Sequence, residues 1–277
     1  MSQPAILDLA LSLVEQPAGE AAAWTGKVRK SSKRLFAYLE AADRRWVIKG
    51  SVGPDLLLEH EHRTLQTLSR RFDGTPLHGS LPTGSRYAPH VLVQPFLSGT
   101  PLRETAQRAR GAARMPHDLL QGCLSAVDWL KAFHVLTSVR PGIGGTHGDM
   151  KPSNVLLAPG VRVIDWELFE AEGSQRHDLM HFLLYTGLLV FAPDRVAGFT
   201  GTFLERTWMS DITRACLQRY GYMSSTGLAA DLREYVAATM GRRAALGLDN
   251  RGYFLEALLV QLDTLCAASA RLPVEEA

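Results

Sequence analysis

A chain of 277 residues suffices for one large domain or two lobes with a shared core, and 46% hydrophobic and 21% charged content is that of a soluble globular protein. A net charge of +2 gives no argument for nucleic acid or an acidic membrane surface, and three cysteines without CxxC spacing argue against zinc and for a reducing, cytoplasmic compartment. No basic stretch precedes the first apolar residues, so no signal peptide is expected. The longest apolar run, 182–192, is about half the roughly 20 residues of a membrane helix, so no membrane span is expected either.

Residues 4–15 carry a dense apolar pattern (Ile6, Leu7, Leu9, Leu11, Leu13, Val14) that predicts a short helix with no evident packing partner. From Trp24 the texture changes to strands at 24–28, 35–39 and 45–49, with turns at 29–34 and 41–44. A helix follows over 54–72, its apolar side made by Leu56, Leu57, Leu58, Leu65 and Leu68, with Pro54-Asp55 as its start. Gly, Pro and Ser then mark loops around 74–84, before an apolar strand from Val91 that ends Gln94-Pro95-Phe96-Leu97-Ser98-Gly99. Residues 116–135 predict a long helix, broken over 139–145 by Pro141 and three glycines. Short buried strands are expected at 155–157 and 161–164, and helices at 179–191, 202–221, 228–246 and 253–270.

The informative stretch is His147-Gly148-Asp149-Met150-Lys151-Pro152-Ser153-Asn154, followed by Ile164-Asp165-Trp166-Glu167. It sets Asp149, Asn154 and Asp165 around two short strands that can hold a loop rigidly. Phosphoryl transfer needs one carboxylate to accept the proton of an attacking hydroxyl, and oxygen ligands to hold magnesium against the phosphates. Asp149 can be the base, and Asn154 and Asp165 the metal ligands. Each residue alone has a plain structural explanation as a turn or cap residue; the types, spacing and strand context agree only as a set.

This string resembles the aminoglycoside phosphotransferase and choline kinase branch of the protein-kinase-like fold. Gly148 is that branch's usual residue where eukaryotic protein kinases carry Arg, whereas Lys151-Pro152 looks more like Ser/Thr protein kinases. The resemblance implies an α+β two-lobe fold: residues 1–95 as a small antiparallel sheet with one helix, and residues 96–277 as a larger helical lobe. Val47-Ile48-Lys49 resembles the kinase strand whose Lys grips the α and β phosphates. Glu61, with Leu65 and Leu68 after it, matches the helix residue that pairs with that Lys, and Glu59 is the alternative. The turn 29–34 lacks GxGxxG; Ser31 and Ser32 could offer N–H groups and hydroxyls to phosphate in its place. The strand ending Pro95-Phe96-Leu97 resembles the lobe connector, and since Pro95 has no N–H, the donor to an adenine edge falls to Phe96 or Leu97. His134 and His147 are expected to be structural, and Asp178 resembles the Asp at the start of the next helix, which is also a good cap.

The function so implied is transfer of the ATP γ-phosphoryl group, with Mg2+, to a hydroxyl of a small molecule of aminoglycoside, choline or sugar type. Asp149 is the base, Lys151 reaches the γ-phosphate, Asn154 and Asp165 hold the metal, and Lys49 with Glu61 grips the nucleotide. Three rivals stand beside it. Lys151-Pro152 favours a protein or glycolipid kinase, which the short passage from Asp165 to Asp178, without Ala-Pro-Glu, opposes. The absent glycine loop favours a nucleotide-binding scaffold. An aminoglycoside enzyme would suit an acidic acceptor region, yet residues 182–277 hold ten acidic residues and nine arginines.

Overall fold

The apolar helix predicted near the N-terminus has a partner: in the computed structural model, α1 (Gln3–Leu13) covers one face of a β-sheet. The described residues are 3–14, 23–24, 29–30, 34–41, 44–53, 55–223, 227–245 and 254–269. They form two compact units, one of Met1–Pro101, His147–Asp149 and Asn154–Ala171, the other of Leu102–Thr146, Met150–Ser153 and Glu172–Ala277. Among the described residues no helix is long and apolar enough to cross a membrane.

In the first unit, β1 (Ala23–Trp24), β2 (Arg29–Lys30), β3 (Arg34–Ala41), β4 (Arg44–Ser51), β5 (Arg86–Ala88) and β6 (Val91–Pro95) make an antiparallel sheet of order β1-β3-β4-β6-β5, with β2 also on β3. Side chains alternate across such a sheet. Leu35, Ala37, Leu39, Ile48, Val91 and Val93 face Ile6 and Ala10, one turn apart on α1, and Val14 just beyond its end. A Cβ on Gly50 would lie 2.4 Å from Ile6 Cγ2, so the close seat of α1 requires a glycine there. Lys49, opposite Phe36 and Leu92 in the ladder, falls on the other face. There α2 (Leu56–Phe72) buries Leu58, Glu61, Leu65, Leu68 and Phe72, and Asp55 caps it by accepting the Leu57 N–H at 3.1 Å. A second sheet of order β11-β10-β7 pairs β10 (Val155–Leu157) with β11 (Val161–Val163) and β7 (Thr100–Pro101).

The second unit is mainly helical: α3 (Leu102–Arg108), α4 (His117–Thr137), α5 (Gln175–Val190), α6 (Arg195–Phe203), α7 (Trp208–Tyr220), α8 (Leu228–Ala245) and α9 (Phe254–Ser269). Met180 and Leu184 of α5 pack with Phe199, Leu232, Tyr235, Leu255 and Leu258. The single helix expected over 202–221 is two, because Thr207 and Ser210 form a capping box that starts α7 afresh. The glycine-rich break at 139–145 is a hairpin, β8 (Ser138–Arg140) and β9 (Ile143–Thr146), turning at Pro141-Gly142 with Gly142 at φ +74°. Strand β12 (Glu170–Ser174) joins that sheet in the order β12-β9-β8, where a plain connection was expected. The short elements β5 and α3 were also absent from the expectation.

Candidate active site

Lys49 lies in the buried half of β4, and its Nζ donates to Glu61 Oε1 and Oε2 at 2.9 and 2.8 Å and to Asp165 Oδ1 at 2.6 Å. The side chains of Lys49 and Glu61 are 6% and 0% exposed, so their charges are desolvated and mutually dependent. Burial alone would lower the Lys49 pKa, but the Glu61 and Asp165 carboxylates outweigh it and hold the ammonium above its usual value. Glu61 Oε1 also accepts from Gln94 Nε2 at 2.8 Å and from the Trp166 N–H at 3.2 Å. Glu59, the alternative partner, pairs instead with Arg63 one turn along α2.

His147 is fully buried against the Trp166 ring, 4.6 Å between centroids. Its Nε2–H donates to the Ile164 carbonyl at 3.0 Å, which leaves Nδ1 to accept the Asp149 N–H at 3.2 Å. The ring is therefore neutral and fixes the loop backbone; Gly148, at φ +80°, makes the turn between them. Asn154 Nδ2 donates to the Asp149 carbonyl at 3.0 Å and to Asp149 Oδ2 at 3.2 Å, so Asn154 aims the carboxylate that sequence reasoning selected as base. The Ile164 N–H donates to the Asn154 carbonyl at 3.0 Å, tying this loop to the residue before Asp165.

Asp165 stands at φ +71°, a left-handed conformation that few non-glycine residues adopt and that clusters at functional sites. Glu61, Asp165 and Glu167 each offer an oxygen within 4.8 Å of the others. Burial raises the Glu167 pKa, and the Asp165 charge adds to this against the opposing effect of Arg34 and Lys49. Arg34, at the start of β3, pairs with Glu167 and with both oxygens of Asp55, at 2.7 and 3.2 Å. Glu167 and Arg34 were given no role from sequence; the Asp-Trp-Glu string was the available signal for the first, and nothing local announced the second. An all-oxygen donor set suits a hard divalent cation. Since Glu61 is committed to three donors, Asp165 and Glu167 are the carboxylates of that set better able to turn to such an ion.

Three expectations fare differently. Ser31 and Ser32 lie outside the described residues. The Phe96 N–H donates to the Arg45 carbonyl at 2.8 Å, so it belongs to the sheet and is not offered to a ligand edge, a correction that leaves Leu97 of the two candidates. Lys151 is half-buried in the segment Met150–Ser153, which groups with the helical unit, where Pro152 accepts the Arg103 N–H at 3.0 Å.

No protein-family model matches the sequence, and no curated protein matches it. By structure the chain is similar to the BubR1 kinase domain, with TM-score 0.52 and 12% identity over 91% of this chain and 87% of that one. It is also similar to amicoumacin kinase hAmiN in complex with AMP-PNP and Ca2+ (0.49, 12%, 97% and 94%) and to choline kinase from Cryptosporidium parvum (0.49, 10%, 99% and 98%). At such identities the likeness defines the fold, which is α+β and protein-kinase-like, as the resemblance implied.

Proposed function

We propose that the chain is a phosphotransferase that moves the γ-phosphoryl group of ATP to a hydroxyl of a small molecule. The observation that carries this is Lys49 held between Glu61 and Asp165, residues far apart in sequence, within the same unit as an Asp149 oriented by Asn154. Residues 1–95 would hold the nucleotide and 96–277 the acceptor. In the reaction, the acceptor oxygen attacks the γ-phosphorus, the bond to the β–γ bridging oxygen breaks and ADP leaves. Asp149 takes the hydroxyl proton, Lys49 turns its ammonium to the phosphates while Glu61 keeps it in place, and Lys151 meets the γ-phosphate. Asp165 and Asn154, with Glu167 beside them, would hold Mg2+, which supplies charge neutralisation at the phosphates. The free, buried Cys123 and Cys216 suit the cytoplasm.

The test is a thermal-shift titration with ATP and GTP, with and without magnesium, on the wild type and Asp165→Ala. A magnesium-dependent rise in Tm that disappears in the variant is the expected result. No shift at millimolar nucleotide would discard the proposal.

A further inference from the structure

Arg34 is the first residue of β3, so it follows directly on residues 31–33, the turn that would cover the phosphates. Its planar guanidinium grips Asp55 with two nitrogens and Glu167 with a third. The three side chains are 17%, 14% and 19% exposed, too shielded to count as an ordinary surface pair, and a fork of this kind is the arrangement a lysine cannot reproduce. Asp55 is at the same time the cap of α2, the helix that carries Glu61, while Glu167 lies two residues beyond Asp165. With the Lys49 bonds to Glu61 and Asp165, the contacts close a ring: β3 to α2, α2 to β4, β4 to Asp165, and Glu167 back to β3.

A glycine-rich turn sits on phosphate because its backbone can come close and its N–H groups converge. This turn, Arg29-Lys30-Ser31-Ser32-Lys33-Arg34, has no glycine. With no such backbone, the phosphate end of the site depends on its charged side chains. We propose that Arg34 is a positioning residue that ties the start of β3 to Asp55 and Glu167 and thereby holds Lys49, Glu61 and Asp165 in place for the phosphates. The inference rests on the nucleotide reading above. It differs from a general brace in one respect: the anchor acts on the phosphate end of the ligand and not on its base.

The experiment compares ATP and adenosine binding by isothermal titration with magnesium present, for wild type, Arg34→Gln, Arg34→Lys, Asp55→Ser and the double variant Arg34→Gln/Asp55→Ser. Serine keeps a hydroxyl that can cap α2 while removing the carboxylate. Arg34→Gln should weaken ATP about tenfold and adenosine less than about twofold, with Arg34→Lys in between and Asp55→Ser weakening ATP about threefold. The double variant should bind ATP no more weakly than Arg34→Gln alone, because both changes break one contact. In turnover, the KM for ATP should rise with kcat nearly unchanged. Equal weakening of ATP and adenosine, or none of either, overturns the inference and leaves the nucleotide reading standing. Wild type that binds neither overturns both. If Arg34→Gln does not fold, Arg34→Lys and Asp55→Ser decide by the same ATP-to-adenosine ratio.

Discussion

Two buried polar clusters in this chain use the same materials and differ in balance. In the helical unit, His134 donates from Nε2 to Asp178 at 3.3 Å and accepts the Tyr220 hydroxyl on Nδ1 at 2.7 Å, and Gln175 Nε2 donates to the His134 carbonyl at 2.7 Å. His134 and Asp178 are 3% and 2% exposed, and burial with the Asp178 charge pushes the Tyr220 pKa up, so the phenol stays a neutral donor. In the sheet unit, four carboxylates (Asp55, Glu61, Asp165, Glu167) share two cations, Arg34 and Lys49, and Asp165 is 28% exposed at a left-handed backbone position. The first cluster is sealed by its own donors and acceptors. Among the described residues the second sets four carboxylates against two cations and is open at one member, a setting in which a positively charged ligand can be taken up.

The sharpest break between loop chemistry and scaffold is Asp149→Asn. It should lower turnover about a thousandfold while ATP affinity by titration stays within about twofold, because the base is lost and the phosphate grip is not. Loss of nucleotide binding in this variant would mean the site is misplaced. Next, Lys49→Met leaves Glu61 buried without its counter-ion and should cost about 3 kcal/mol in denaturant unfolding, with loss of ATP binding. Asp178→Ala, on the sealed side, should cost about 2 kcal/mol by orphaning His134 Nε2, yet leave ATP affinity unchanged. A change in ATP affinity there would erase the distinction between the two clusters.

The smallest effect concerns His177, whose imidazole burial holds below its usual value, the Arg242 charge adding and Glu234 opposing. Above about pH 6.5 neither the folded nor the unfolded state protonates it; below that the unfolded chain takes up the proton first, so stability falls as pH falls. The Tm of His177→Gln should therefore decline less than that of wild type between about pH 7 and 5. Parallel curves would show that another group carries the acid sensitivity.

Asp178 also shows why some roles were half legible. A helix-start Asp reads as a cap, but α5 begins at Gln175 with Ser174 as its N-cap residue, and Asp178 turns inward to His134. Spacing along one helix cannot reveal a donor that lies forty-four residues upstream. The same holds for Arg34: a charged residue at a hairpin end looks solvated until Asp55 and Glu167 are brought to it. Phe96 failed in the other direction, since strand β6 ran one bond further than its Pro suggested and used the N–H on Arg45. The break between α6 and α7 was missed because Thr207 and Ser210 act through local hydrogen bonds that apolar periodicity does not register.

By itself the sequence determined the kinase-like fold and the sheet-then-helix order, and it singled out Asp149, Asn154, Asp165 and Lys49 as candidates, because each rests on short-range spacing and side-chain chemistry. Only the tertiary structure decided that α1 seats on Gly50, that Glu61 and not Glu59 meets Lys49, and that Arg34 and Glu167 complete the charged ring. Those are contacts across long sequence separations, and burial of charge makes them specific: a carboxylate with no exposed surface must find its cation in the fold, wherever in the chain that cation lies.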